Sequence, residues 1–500
     1  MSTALRWGKL VFVTDQGDTP PTVFVLFGAS GDLAARLVLP AFFRLAQEKL
    51  LPAQWQLIGS GRRQLSDDDF RDHVHEKLTE FGPKPEDGPR EVWDEFASRL
   101  HFAGNGFTAD DPGELVDKVA QAEQELGDGD PSSVQRVHYL GLPPTTFEAY
   151  TEALAAHDLV ERSRVVYEKP FGTSLESFRS LDEAVHRVYD ESVIYRIDHF
   201  LGKEATQQLR ALRFANGLFG SSWDRHHVAA VQIDVPETLD VADRAEFYDE
   251  TGAVLDMLVT HLFQVAAEIA MEPPKSLAAD DIAQARADAV KAFRPLTTDD
   301  VVRGQFDGYR DIDEVADDSD TETFVAARMF VDTDRWRDVP FLMRTGKMMA
   351  ESHQKVSLVM RDPQGGPYCA PDEAGNPDCA DIPRRGNVVR FDLSGDGELG
   401  ISMNIELPGS ASALTTQWTT ISLHDVHGGD PLPPYVRLIH DILLGDRTLF
   451  TRPDGLEEVW EAAGAALDGS AEIRPYERGS WGPSEALRLA EPVGWTLGDQ

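Results

Sequence analysis

Residues 22–27, TVFVLF, form an unbroken apolar run that passes straight into Gly28-Ala29-Ser30-Gly31-Asp32-Leu33-Ala34 and then into the helical pattern RLVLPAFFRLAQEKL. A continuous run of this length suits a strand buried on both faces, which a parallel sheet covered by helices provides. Strand, glycine turn and helix together are the context a dinucleotide phosphate loop requires. The glycines let the backbone approach a pyrophosphate, and the helix N-terminus holds it. The spacing is GxxGxxA rather than GxGxxG, so the turn by itself fits an ordinary strand–helix connection equally well. Gly28, Ser30, Gly31, Asp32 and Leu33 are the candidate cofactor contacts here.

The pattern that follows alternates strand and helix. A second strand, Gln56 to Gly59, ends in Ser60-Gly61-Arg62-Arg63. An NAD site wants a carboxylate at this point for the ribose hydroxyls. Arg62 and Arg63 instead favour the extra phosphate of NADP. A helical stretch (68–100), a short strand at 101–103, a further helix and a strand at 137–141 continue the alternation. A strand at 164–167 ends in Glu168-Lys169-Pro170-Phe171-Gly172, where Lys169 faces the cofactor side and the proline allows a cis bond. Another strand, 193–195, runs into RIDHFLGKE. A helix is expected from about Asp198, which would put His199 and Lys203 on one face and an anion-binding N-terminus beside them. Arg196, Lys203, Arg210 and Arg213 outnumber Asp198 and Glu204 over this stretch, a locally positive island. The same residues also read as a surface helix capped by Asp198.

Beyond about Phe214 the pattern changes. A strand at 228–235 ends in Pro236-Glu237, and a long helix is expected over 252–271 with Val254, Leu258, His261, Val265 and Ile269 on one apolar stripe. On that stripe His261 is either a core histidine or a functional one. Asp256 and His261 are five apart, roughly 140° round an α-helix, so both reach one pocket only if the helix lies along its floor. From Thr323 onward strands dominate, with short polar connections, as in a mostly antiparallel sheet. Residues 435–467 read as helical, and the Pro/Gly-rich tail as packed over the body.

Five hundred residues imply more than one core. The expected division is an N-terminal arm (1–20), a Rossmann-like dinucleotide-binding α/β domain (21–197) and an α+β domain with a large, mostly antiparallel sheet (198–500). Lys and Arg number 47 against 86 Asp and Glu, a net charge of −39, which argues against nucleic acid and anionic membrane as partners. An anionic substrate would therefore need a local basic island. Two cysteines, Cys369 and Cys379, sit in a loop-like stretch and exclude a disulfide-built fold. No signal peptide or membrane span is expected, which makes the cytoplasm the default compartment, and no metal site is expected.

GASGDLA, EKPFG, RIDHFLGKE, FYDETGAVLDMLVTHLFQ, SDTETFVAARMFVDTDRWRDVPFLMRTGK, GDRTLFTRPD and YERGSWGP occur in that order between residues 22 and about 482. In these motifs the chain resembles the glucose-6-phosphate dehydrogenase family. The resemblance implies NADP-linked oxidation of glucose 6-phosphate to the lactone, the first step of the pentose phosphate pathway. It implies His261 as the general base and Asp198 as the carboxylate that orients it. His199 and Lys203 would bind the sugar phosphate; Glu237, Asp256, Lys169 and Lys347 would bind the sugar, with Lys169 also toward the cofactor. The family forms homodimers or homotetramers on the second domain's sheet. Four positions depart from the family pattern: Leu37 and Ser352 replace basic residues, Phe200 a tyrosine and Ser394 a glutamine. They leave another hexose 6-phosphate or a free sugar as the alternative substrate, and a non-catalytic NADP-binding relative as a further one.

Overall fold

A computed structural model describes residues 19–498 except 242–243, 364–366, 372–376, 379–381, 384–385, 395–396, 410–412 and 423–431. Almost all of the expected N-terminal arm and Cys379 lie outside the described residues. The chain divides into two compact units: residues 1–202 with 276–283 and 428–453, and residues 203–275 with 284–427 and 454–500.

The first unit is built on six parallel strands: β1 (Thr22–Phe27), β2 (Trp55–Ser60), β3 (Leu100–Ala103), β4 (Gln135–Leu140), β5 (Ser163–Tyr167) and β6 (Ile194–Arg196), in the order β3-β2-β1-β4-β5-β6. This is the doubly wound order in which the chain reverses direction between β1 and β4, the switch point where such folds bind ligands. β1 is buried along its whole length, as an uninterrupted apolar run requires. One side of the sheet carries an aromatic core in which Phe24, Phe42, Trp55 and Phe96 stand 4.8, 5.3 and 5.5 Å from ring to ring along the series. Leu438, Ile439 and Ile442 of the helix Pro434–Leu444 join this core, so a segment far along the chain completes the first unit. The helical run expected over 68–100 is two helices, Asp67–Phe81 and Arg90–Ser98, because Gly82-Pro83 cannot continue one.

The second unit carries β7 (Val228–Pro236), β8 (Val301–Phe306), β9 (Phe324–Phe330), β10 (Pro340–Gly346), β11 (Lys355–Met360), β12 (Val388–Asp392), β13 (Glu398–Glu406), β14 (Leu414–Ser422) and β15 (Ile473–Tyr476). Their order is β14-β13-β12-β11-β7-β10-β9-β8-β15. Two pairs, β7/β10 and β8/β15, are parallel and the rest antiparallel. The sheet is therefore mostly antiparallel, as expected, although β8 and β15 carry no alternation strong enough to be read from sequence. The tail packs on this sheet: Gln232 Nε2 donates to the Gly494 carbonyl at 2.7 Å, and the buried Arg344 lies over the Trp495 ring at 4.3 Å while pairing with Asp234 at 2.6 Å.

The long apolar helix differs from its expected form. Gly252 (φ 66°, ψ 172°) breaks it from the preceding helical segment, and the Glu322 carboxylate accepts from the Val254 N–H at 3.0 Å to cap the new start. A Cβ at residue 252 would lie 2.4 Å from Glu322 Oε1. From Val254 to Leu262 the helix is a π-helix, with the Phe263 N–H bonded to the Leu258 carbonyl, and it becomes α-helical only over Phe263–Ala270. Among the described residues, Ala245–Ala270 is the one helical stretch long and apolar enough to span a membrane. Its most apolar window is 89% buried inside the protein, so its apolarity serves the core.

Candidate functional site

In the first unit the glycine turn leaves β1 with Gly28 in the left-handed region (φ 73°), and a Cβ there would lie 2.3 Å from the Gly141 carbonyl oxygen at the end of β4. Only glycine fits a turn held so close to the neighbouring strand. The N–H groups of Gly28 and Ala29 donate to the Ser60 carbonyl at 3.0 and 3.3 Å, tying the turn to the end of β2. Ser30, Gly31 and Asp32 are exposed on the turn, and the helix after it begins as a π-helix, Ala34–Val38. The Asp32 carboxylate pairs with Arg36 at 2.6 Å. Arg62 and Arg63 follow β2 as exposed side chains, and neither forms an ion pair with a described residue. A tight turn that needs glycine at residue 28, with exposed residues at a helix start and two exposed guanidiniums that follow β2, fits a dinucleotide.

Lys169 lies just past β5, and the Lys169–Pro170 bond is cis. Its neighbour Glu168 is a residue that the sequence did not single out. The carboxyl group is 4% exposed and accepts from the Tyr139 and Tyr435 hydroxyls at 2.5 and 3.3 Å. Burial pushes it up to about 7. Tyr435 in turn stacks on the His199 ring, 6.4 Å between centroids. This contact was illegible in sequence because Tyr435 reaches the unit from the distant helix.

The turn after β6 corrects the expected helix start. Asp198 is buried and its Oδ1 accepts from the Phe200 N–H at 2.9 Å. The helix begins only at Glu204 and ends at Ala215, with Lys203 extended (φ −71°, ψ 131°) as its N-cap. His199 and Lys203 therefore do not share a helical face, and Asp198 is not the cap. The expected basic island is mostly consumed. Arg196 is buried between Glu191 and Asp182 at 2.8 and 2.9 Å, Arg210 faces the buried Glu268 at 3.9 Å, and Arg213 donates to the Ile269 carbonyl at 3.1 Å. Buried guanidiniums need partners, and these partners are far away in sequence or lie outside the compared stretch.

The second unit holds Lys203, Glu237, Asp256, His261 and Lys347, whereas Asp198, His199 and Lys169 belong to the first. β7 and β10 are parallel and in register, Pro236 opposite Gly346, so the next residue of each, Glu237 and Lys347, emerges side by side. Their side chains form an ion pair, and Lys347 Nζ lies 5.6 Å from the Tyr248 ring centroid. Tyr248 is buried and its hydroxyl is held far above the usual range by burial, with the negative charges of Asp256 and Glu237 adding to it. His261 is fully buried and Asp256 partly so. The wider turn of the π-helix sets residues five apart closer round the axis than an α-helix does. Asp256 and His261 therefore lie nearer to one face than the roughly 140° expected of an α-helix.

The four departures are placed as well. Leu37 is 37% exposed, and Phe200 is buried. Ser352 Oγ accepts from the Thr238 N–H at 2.9 Å, and Ser394 bonds Asp392 within a turn.

Comparison with known proteins identifies the family. Residues 25–208 match the glucose-6-phosphate dehydrogenase NAD-binding domain and residues 210–496 its C-terminal domain. The chain belongs to the glucose-6-phosphate dehydrogenase family. It is 35% identical over 480 residues to glucose-6-phosphate 1-dehydrogenase 1 of Mycobacterium tuberculosis (strain CDC 1551 / Oshkosh), covering 95% of this chain and 96% of that one. It is 33% identical over 500 residues to glucose-6-phosphate 1-dehydrogenase of Bacillus subtilis (strain 168), covering 95% and 98%. Among solved structures, glucose-6-phosphate 1-dehydrogenase from Mycobacterium avium superimposes with a TM-score of 0.80 at 32% identity over 96% of this chain and all of that one. A glucose-6-phosphate dehydrogenase in complex with glucose-6-phosphate gives 0.85 at 27% identity, over 96% and 99%.

The Glu168 environment sets a pH dependence. A carboxyl raised from 4.5 to about 7 is neutral in the folded chain where it is ionised in the unfolded one. Stability is thus lost as pH rises from the unfolded value through the folded one. Glu168→Gln removes that loss, so it should be more stable than the parent at pH 8 by about 1–3 kcal/mol, seen as a higher melting temperature. The excess should vanish near pH 4.5, as thermal melts at the two pH values will show.

Proposed function

We propose that this protein oxidises glucose 6-phosphate at its anomeric carbon to the lactone, with NADP as the acceptor. The observation that carries the reading is the match of both halves of the chain to this family, in order, with the glycine turn of the nucleotide domain intact. When bound, the nicotinamide supplies the hydride acceptor, and the protein supplies binding, orientation and proton removal. His261 is the proposed base for the anomeric hydroxyl, since an imidazole nitrogen can accept a proton from a reacting hydroxyl. Asp198 is its proposed partner, stabilising the imidazolium as a triad carboxylate does. Glu237, Asp256, Lys347 and Lys169 are the proposed contacts to the sugar hydroxyls, and His199 and Lys203 those to the phosphate. The Glu237–Lys347 pair supports part of this: a bidentate polar sugar can insert into such a pair and take one acceptor and one donor from it. Gly28, Ser30, Gly31, Asp32, Leu33 and Lys169 are the proposed cofactor contacts, with Arg62 and Arg63 for the 2′-phosphate.

We also propose that the chain self-associates through the β13–β14 face. Met403, Ile405 and Ile421 are 47%, 43% and 51% exposed there. The pairing of Leu399 with Ile421 puts them on one side of the sheet, an apolar patch that a monomer rarely leaves uncovered.

Three measurements test these assignments. Replacing Arg62 and Arg63 with Ala should raise KM for NADP by about tenfold or more while changing that for NAD little; equal changes would rule out the 2′-phosphate role. His261→Asn should lower turnover per folded molecule by about 100-fold or more with substrate and cofactor binding kept, and Asp198→Asn should add little on top of it. A core-histidine role predicts instead a lowered melting point with near-normal turnover. Ile405→Lys together with Ile421→Asp should convert an oligomer into a monomer by light scattering.

A further inference from the structure

The segment between Lys347 and β11 contributes a residue to the phosphate end that no motif marks. β11 runs antiparallel to β7, Lys355 opposite Asp234, so its beginning lies beside the carboxyl end of β7 from which Glu237 emerges. The His353 N–H donates to the Pro236 carbonyl at 3.0 Å, and the Leu393 N–H donates to the Gln354 carbonyl at 2.6 Å. The Gln354 backbone is thus held at its own carbonyl and through its neighbour's N–H, and its carboxamide oxygen accepts from the Lys203 ammonium. Its neighbours face other partners: Ser352 bonds Thr238, His353 Nε2 lies 2.6 Å from Glu351, and Lys355 Nζ lies 3.9 Å from Asp392.

We infer that Gln354 is a positioning and specificity-determining residue for the sugar phosphate. It fixes the Lys203 ammonium through its oxygen and presents its own amide N–H₂ beside that charge. The inference rests on the reading of Lys203 as a phosphate contact. A carboxamide suits this role because it accepts from an ammonium without cancelling its charge, whereas a carboxylate would leave nothing for an incoming anion. It also accounts for the serine at 352, where the family pattern has a basic residue: the second phosphate donor comes from two residues further on, as a neutral group.

Gln354→Glu and Gln354→Leu, compared with Lys203→Ala, test it. KM for glucose 6-phosphate and the competitive inhibition constant of inorganic phosphate should rise by about tenfold or more in Gln354→Glu and by about threefold in Gln354→Leu. Turnover at saturation should change far less, and KM for the cofactor should hold. If Lys203→Ala raises KM while Gln354→Glu does not, the inference falls and the Lys203 assignment stands. If Lys203→Ala is itself without effect, the assignment falls too. Parallel losses in turnover, cofactor KM and melting temperature would show a structural role for Gln354 and overturn the proposal.

Discussion

A strand buried on both faces can offer chemistry only at its ends, and that constraint shapes both units. β1 has no exposed face, so what it presents is the turn that follows it. Gly28 lets that turn leave at a positive φ against the Gly141 carbonyl. The same rule operates in the second unit, where β7 and β10 run parallel in register and release Glu237 and Lys347 next to each other. Because β11 runs the other way, it is the start of that strand, not its end, that brings Gln354 to the same edge.

Charge is distributed by the same economy of position. The chain carries a net −39, yet much of its arginine is spent inside. Arg344 is fully buried against Asp234 between two tryptophan rings, and Arg196 is held by two acids. Such groups build the scaffold and are not available to a substrate, since a buried guanidinium without a carboxylate would cost several kcal/mol. Arg62 and Arg63, by contrast, stay exposed, and Lys203 is held by a neutral carboxamide.

Helix geometry carries a further part of the chemistry. Along Val254–Leu262 the i to i+5 pattern brings Asp256 and His261 nearer round the axis than an α-helix would, in a helix otherwise devoted to the core. π-Turns widen a helix at a cost in regular hydrogen bonding and are frequent at functional sites. Glu322 secures the start of this helix and is itself paired with Arg303 at 2.5 Å. The SDTETF motif therefore supports the helix from outside rather than contacting a ligand through this glutamate.

Much of the fold was written locally. The apolar run at 22–27, the glycine turn, the alternation through β6 and the later succession of strands each follow from periodicity and turn chemistry, which depend on neighbours in sequence. The pairing of helix Pro434–Leu444 with the nucleotide unit was not legible, because its apolar face fits any core of the right shape. At the sites, sequence determined which residue types were present: the glycines, Arg62 and Arg63, Asp198, His199, Lys203 and His261. Tertiary structure alone decided that Arg196 and Arg210 face acidic side chains and that Arg213 is spent on a backbone carbonyl, that the helix begins after Lys203, and that Glu168 meets Tyr435 and Lys203 meets Gln354. Those outcomes depend on contacts between residues up to 267 positions apart, and local patterning holds no record of which distant group will satisfy a buried charge.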